Sequence, residues 1–309
     1  MLDKVYIELS DICGLKCSFC PQNQRVDSRG IMSVENFRRV CESLVAPKRL
    51  TNRVCLHILG DPLAVKNIEM YCQILDEYHL RVDLVSNAKF LCANHFKLLS
   101  QTPIHQVAFS LSAFVDSKQN FPKEHLQNIV AFCKFHAHSN SEVFIHLRLQ
   151  EKHLQAHFTQ SLDKNPITQE VLECIANAFD KNIQDMLTSL QGKEGRVRLA
   201  YKTFLTKSRD FKWVERDSHS FRQGANTQSK NLYCYGVHKQ LGILSNGVVV
   251  PCCIDVFGEI ALGNIQESCL YDILQSPLAR QIAQNFKVGK AIMPKCQQCD
   301  YARGLRINA

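Results

Sequence analysis

From residue 5 to about residue 201 the chain alternates short β-rich runs with longer amphipathic ones, and that alternation sharply limits the folds open to it. Short strands are read at 5–9, 54–59, 82–85, 106–111, 143–149 and 197–201. Between them lie helical patterns. One is capped by Ser33 and runs to residue 45, with Phe37, Val40, Cys41 and Leu44 on one face; others cover 68–78, 96–99 and 123–136. A long helix over 168–190 starts after Pro166. Strands separated by helices pair in parallel through right-handed crossovers, so an α/β sheet is expected, either open or closed into part of a barrel. In both forms the loops after the strands gather at one carboxyl-terminal edge, where ligands bind. Gly60-Asp61-Pro62, Ser86-Asn87 and the pair Ser110/Ser112 fall at that edge, as does a cysteine loop after the first strand.

That loop reads Asp11-Ile-Cys13-Gly-Leu-Lys-Cys17-Ser-Phe-Cys20-Pro21, three thiols spaced C-x3-C-x2-C. Gly14 and Pro21 favour a wrapped loop over a helix. The chain has 309 residues and 15 cysteines, an odd number, and its first residues lack the basic head and apolar core of a secretion signal. Its longest apolar stretches are interrupted before the ~18 residues a membrane span needs. A cytoplasmic protein without membrane association is expected, and there clustered thiols signal metal or redox chemistry rather than disulfides. Short runs of thiolates hold iron–sulfur clusters. Three ligands on a four-iron cube leave one iron open to a reactant, whereas structural zinc wants a fourth ligand that is not nearby in sequence.

C-x3-C-x2-C with an aromatic residue, Phe19, before its last cysteine resembles the signature of radical S-adenosylmethionine enzymes. The resemblance covers residues 3–202 in layout and implies a partial (β/α)6 barrel. It implies that Cys13, Cys17 and Cys20 hold a [4Fe–4S] cluster whose open iron chelates S-adenosylmethionine. An electron from a donor such as flavodoxin or ferredoxin then gives a 5′-deoxyadenosyl radical that abstracts a substrate hydrogen. In that family a Gly-rich turn after the second strand, commonly ending Gly-Glu-Pro, holds the methionine amino group. The matching stretch here is His57-Ile-Leu-Gly60-Asp61-Pro62, with one Gly and with Asp for Glu. The resemblance also places Ser112 at the ribose hydroxyls and Asn87 where a Thr-Asn-Gly turn falls, and groups Phe19 with the cofactor contacts. Arg148, on the fifth strand, suits a carboxylate. Each has an ordinary alternative: a strand-ending turn at 60–62, a half-buried strand serine, a turn asparagine, a solvated arginine.

Residues 203–232 read as a polar linker, and the tail beyond them differs in composition, with six of the cysteines. A boundary near residue 230 divides a core, 1–230, from a small irregular cluster-binding domain, 231–309. Cys234 is followed by twelve residues, Gly247, four residues and Cys252; Cys296 and Cys299 form a later C-x2-C pair. Residues 243–250 read as a hairpin turning at Asn246-Gly247, which carries Cys252 back towards Cys234, and 270–282 as a helix before the last pair. Four converging thiols suit one four-iron cluster or one zinc. C-x12-G-x4-C resembles the opening of the SPASM domain, an accessory-cluster module of radical S-adenosylmethionine enzymes. With no cysteine after Cys299, the tail is closer to the shortened twitch form, which implies a single auxiliary [4Fe–4S] cluster. Cys253 adjoins Cys252 and would point the opposite way; the spacing from Gly247 favours Cys252.

Cys41, Cys55, Cys72, Cys92, Cys133, Cys174 and Cys269 fall at apolar or helical positions and read as packing residues. His136 and His138 end a helix, and His57 is a strand histidine. Net charge is 37 − 29 = +8, and residues 193–216 carry eight Lys or Arg beside Phe211 and Trp213. That run suits a solvated face, with RNA as the alternative partner. The expected function is oxidation or modification of an unidentified small molecule, peptide or protein. The rival readings are an RNA-modifying enzyme of the same type and a non-catalytic iron–sulfur or zinc sensor. Cys13 follows so soon after residue 1 that no leader-binding domain fits before it, which favours a small molecule or a separately delivered protein.

Overall fold

The computed structural model describes residues 1–24, 27–116, 123–162, 164–210, 212–213 and 230–305. The first half runs β1 (Lys4–Ile7), α1 (Val34–Val45), β2 (Arg53–Cys55), α2 (Ile68–Glu77), β3 (Arg81–Ser86), α3 (Asn94–Leu99), β4 (Ile104–Ser110), α4 (Ser112–Asp116), α5 (Lys123–His138) and β5 (Phe144–Gln150). The second half runs α6 (Glu151–Phe158), α7 (Pro166–Ala178), α8 (Ile183–Gln191), β6 (Arg196–Ala200), β7 (Thr203–Ser208), β8 (Lys230–Asn231), β9 (Gln240–Ile243), β10 (Val248–Val250) and β11 (Gly263–Asn264). The chain closes with α9 (Leu270–Gln275), α10 (Pro277–Lys287), β12 (Lys290–Ala291), α11 (Pro294–Gln298) and α12 (Asp300–Arg303).

Ten strands form one sheet in the order β11-β10-β9-β1-β2-β3-β4-β5-β7-β6, and β1 to β5 with β7 pair in parallel as the expected α/β series. Side chains alternate across it. In β5, Ile145, Leu147 and Leu149 are fully buried among the helices, while His146, Arg148 and Gln150 are half-buried on the inner face. Helix α1 shows why the outer layer forms. Ser33 Oγ accepts the Asn36 amide at 3.2 Å, and the stripe Phe37, Val40, Cys41 and Leu44 is fully buried. Tyr6 and Cys55 face inward, against Ile58, Leu59, Leu244, Val250 and Val256.

Three expectations are corrected. The sixth parallel strand is β7, inside the segment read as a linker; residues 196–200 form β6, which runs antiparallel to it. In β7 only Thr203 and Leu205 are buried, so its alternating polar residues looked like loop. The helix read over 168–190 is two helices. Asp180 adopts φ +51°, and Asn182 Oδ1 starts α8 by accepting the Gln184 and Asp185 amides at 2.8 and 3.2 Å. The tail helix likewise breaks at Ser276-Pro277, because a residue before proline resists the helical conformation. Ser276 ends α9 and caps α10 through Ala279 N at 3.3 Å.

The tail hairpin forms as read, with Gly247 at φ +86°. It is not laid beside the core: β9 pairs in parallel with β1, Lys4 with Gln240 through Ile7 with Ile243, so one sheet runs through both parts. Among the described residues, no helix is long and apolar enough to cross a membrane.

Candidate functional site: two groups of thiols

The first thiol loop leaves β1 and is stapled at its base by two buried acids. Asp11 accepts Ser28 Oγ at 2.8 Å, Arg29 N at 2.6 Å and Gly30 N at 3.2 Å. Glu8, with no exposed surface, takes the Arg29 guanidinium on both oxygens at 2.8 and 2.7 Å. Glu8 also accepts Leu59 N at 3.2 Å, and Ser245 N and Oγ at 3.2 and 3.1 Å. One carboxylate therefore joins the thiol loop, the turn after β2 and the tail hairpin. Within the loop, Cys20 N donates to Cys17 O at 3.2 Å, and Cys17 packs with Leu15 and Ala113 while Cys13 and Cys20 are half-buried. Burial pushes the Cys13 thiol up to about 11 and Cys17 to about 12, and the neighbouring thiols add to the shift. Three thiols that resist ionising together are the donor set that a cationic metal centre stabilises as thiolates.

The turn after β2 docks directly under this loop. Gly60 has φ +71°, and a Cβ there would lie 2.2 Å from Ser10 O, so no other residue fits. Asp61 N donates to Ile12 O at 2.8 Å. The Asp61 carboxylate is not presented to a cofactor. It is 1% exposed and accepts Leu63 N at 2.9 Å, Ser86 Oγ at 3.0 Å and Asn87 N at 2.7 Å. Burial outweighs these bonds and raises its pKa to about 6. Asp61 thus ties the turn after β2 to the turn after β3, and Pro62 starts a buried single turn beside it. Asn87 is brought to the thiols: its Nδ2 donates to Cys13 Sγ at 3.2 Å, and its Oδ1 accepts Lys89 N at 2.8 Å. Lys89, which sequence reasoning did not select, donates to Gly14 O.

Ser112 is 2% exposed and its hydroxyl accepts Gln150 N at 2.7 Å, so it splices the end of β4 to the end of β5. Arg148 stands on the inner face of β5, its guanidinium making no hydrogen bond or ion pair among the described residues, and burial lowers its pKa. Burial and the nearby Arg148 charge hold His57 down at about 3, so this histidine is neutral. Its ring meets Tyr6 edge-on at 5.4 Å. Phe19 lies under Lys152, whose Nζ is 5.0 Å from the ring centre and 2.9 Å from Asp116 Oδ2. An open cavity of ≈ 530 Å³ borders the loop, lined by Phe19, Cys20, Gln150, Lys152, Asp210 and Trp213 among others. Of the expected cofactor contacts, Phe19 lines it; Gly60, Asp61, Pro62, Asn87, Ser112 and Arg148 do not.

The tail thiols come from three places: Cys234 before β9, Cys252 after β10, and the pair Cys296 and Cys299 on α11 and at its end. All four line one small cavity of ≈ 20 Å³ together with Asp255 and Lys295. Burial raises the Cys234 thiol to about 11 and pushes Cys252 and Cys296 higher still, with the thiols adding to one another. Cys253 does not line that cavity. It packs at the sheet interior with the cluster that holds Tyr6, and Cys252 is the one of the two that lines the cavity with the other three.

Among the described residues, no three His, Cys, Asp or Glu side chains are gathered tightly about one metal ion. Of the cysteines read as packing, Cys41, Cys55, Cys72 and Cys133 are buried, Cys174 and Cys269 half-buried, and Cys92 exposed beside His95. In the basic run, Arg196 pairs with Glu194 at 2.9 Å and Lys207 with Glu151 at 3.5 Å, and Lys202 pairs with Glu142. Phe211 and Arg216 lie outside the described residues.

Residues 234–300 match the family model SPASM, an iron-sulfur cluster-binding domain. No curated protein matches the chain by sequence. Among solved structures, BtrN in complex with AdoMet and 2-DOIA superposes with a TM-score of 0.52 at 16% identity, covering 97% of this chain and 93% of that one. Native anSMEcpe with bound AdoMet gives 0.58 at 16%, covering 97% and 87%. Streptococcus suis SuiB bound to precursor peptide SuiA gives 0.59 at 15%, covering 98% and 70%. All three are radical S-adenosylmethionine enzymes, and at these identities the likeness is one of fold.

Proposed function

We propose, for a chain that has the fold of radical S-adenosylmethionine enzymes and carries an iron–sulfur SPASM domain, that it binds S-adenosylmethionine at a [4Fe–4S] cluster held by Cys13, Cys17 and Cys20. In this reading Cys234, Cys252, Cys296 and Cys299 hold one auxiliary [4Fe–4S] cluster. Residues 1–230 then form the catalytic part and 231–309 the auxiliary part, although one sheet serves both. The observation that carries the reading is the placement of three thiols on one loop, at the carboxyl edge of parallel strands, beside an open cavity. When bound, the cluster and S-adenosylmethionine would supply an electron and a 5′-deoxyadenosyl radical that removes a substrate hydrogen.

The chain's own residues position this chemistry. Asn87 donates to Cys13 Sγ and so stabilises its thiolate, and Gly60 lets the turn after β2 approach the loop at backbone distance. The unpartnered, half-buried Arg148 guanidinium offers a partner for a carboxylate. Phe19, Gln150, Lys152, Asp210 and Trp213 form the wall that a substrate meets. BtrN is seen with 2-DOIA, SuiB with a precursor peptide and anSMEcpe with the Cp18Cys peptide, so a small molecule, a peptide or a protein suits this cavity. A flavodoxin or ferredoxin in the cytoplasm would supply electrons. The test is anaerobic incubation of reconstituted protein with S-adenosylmethionine and dithionite. The expected product is 5′-deoxyadenosine, absent in Cys17→Ala; its absence from the iron-loaded wild type sinks the reading.

A further inference from the structure

The tail cavity holds two charged side chains among its thiols. Lys295 and Asp255, 5% and 3% exposed, line the same space as Cys234, Cys252, Cys296 and Cys299. Lys295 Nζ donates to Asp255 Oδ1 at 3.0 Å and to Glu259 Oε2, and it stands 5.2 Å from the centre of the Phe257 ring. The same carboxylate also holds the adjoining loop: Asp255 Oδ1 accepts Glu259 N at 3.1 Å, and Oδ2 accepts Ile260 N at 2.8 Å. Burying a lysine in addition is costly, and a single ammonium shared between two carboxylates leaves the group with a net negative charge. Lys295 also directly precedes Cys296 on α11, so the cation is fixed beside a candidate ligand. Inside a buried, poorly screened space such charges act strongly on any centre that gains or loses an electron.

We propose that the Lys295–Asp255–Glu259 group sets the reduction potential of the auxiliary cluster, with Lys295 raising it and the carboxylates lowering it. This rests on the reading that the four tail thiols hold a redox-active cluster. Reduction adds negative charge, so a fixed cation nearby favours the reduced form and a fixed anion the oxidised one. Lys295 is here a tuning residue that acts through its charge rather than as a ligand.

The experiment is an anaerobic redox titration, followed by electron paramagnetic resonance, of reconstituted full-length protein without S-adenosylmethionine. Wild type, Lys295→Met, Lys295→Arg and Glu259→Gln are compared, with iron and sulfide measured for each. Two reduction steps are expected in the wild type. Lys295→Met moves one of them to more negative potential, Glu259→Gln moves the same step to more positive potential, and Lys295→Arg stays near wild type. A merely structural lysine would change iron content or thermal midpoint and leave both potentials in place. If Lys295→Met fails to hold iron, the opposite shift in Glu259→Gln decides the matter. Unmoved potentials in variants that keep their full iron, or shifts of the same sign, overturn the proposal. A wild type with about four irons and a single step would instead fail the reading of the tail as a cluster site, and the proposal with it.

Discussion

The three thiols after β1 and the four thiols of the tail are assembled in opposite ways. The first set sits on one short loop, held from beneath by Gly60 and Asn87, and borders an open cavity of ≈ 530 Å³. The second is gathered from three places around a small space of ≈ 20 Å³ whose other charged walls, Lys295 and Asp255, are already paired with each other. A space of ≈ 530 Å³ leaves room for a reactant, whereas one of ≈ 20 Å³ has no room for a ligand of substrate size. The sheet nevertheless joins them, since Glu8 bonds both the first loop through Arg29 and the tail hairpin through Ser245.

The largest expected effect separates the two sites by chemistry. Cys17→Ala should lose about half of roughly eight irons and all 5′-deoxyadenosine formation, while Cys252→Ser should lose the other half and keep cleavage of S-adenosylmethionine. Loss of both clusters in either variant would break the division. Glu8→Gln tests the join. Arg29 would be left beside a neutral amide, and unfolding free energy should fall by about 3–5 kcal/mol, measured by urea titration. Both sites should loosen together; loosening of the first alone would show that Ser245 contributes nothing.

Asp61 gives a pH signature that belongs to the first site only. Its folded pKa, about 6, lies above the ordinary 3.8, so the folded protein keeps a proton that the unfolded chain has released. The stabilisation is complete below pH 4 and lost as pH rises through 6, by up to about 3 kcal/mol in all. Asp61→Asn should remove that part of the slope in urea titrations across this window. An unchanged slope would place the titration elsewhere. The smallest effect sharpens the second site: Cys253→Ser should keep its full iron and change stability by no more than about 1 kcal/mol, since Cys253 packs beside Tyr6 and does not line the thiol cavity.

The parts of the molecule that follow from local pattern were legible in the sequence. The parallel series β1 to β5, the Ser33 cap and the Asn246-Gly247 turn each rest on a few neighbouring residues. Strand β7 was not legible, because four of its six residues are polar and only Thr203 and Leu205 are buried. The two broken helices turned on Asp180 and on Ser276-Pro277, local signals that amphipathic spacing overrode. Asp61 and Ser112 were selected as cofactor contacts, but both polar groups are engaged by backbone amides brought in by the fold. Glu8 and Lys295 offered no motif at all. Their partners lie 237 and 40 residues away, and only the folded chain brings each pair together.

The parallel pairing of β9 with β1 also fixes an order of events during synthesis. The strand from which the first thiol loop hangs gains its outer neighbour only when residues 240–243 have been made, and Glu8 waits a further stretch for Ser245. Closing so long a loop is among the slower steps available to a chain of this size. The thiols of the first site are therefore made long before the frame around them, and that site reaches its final shape only after residues 240–245 have been added.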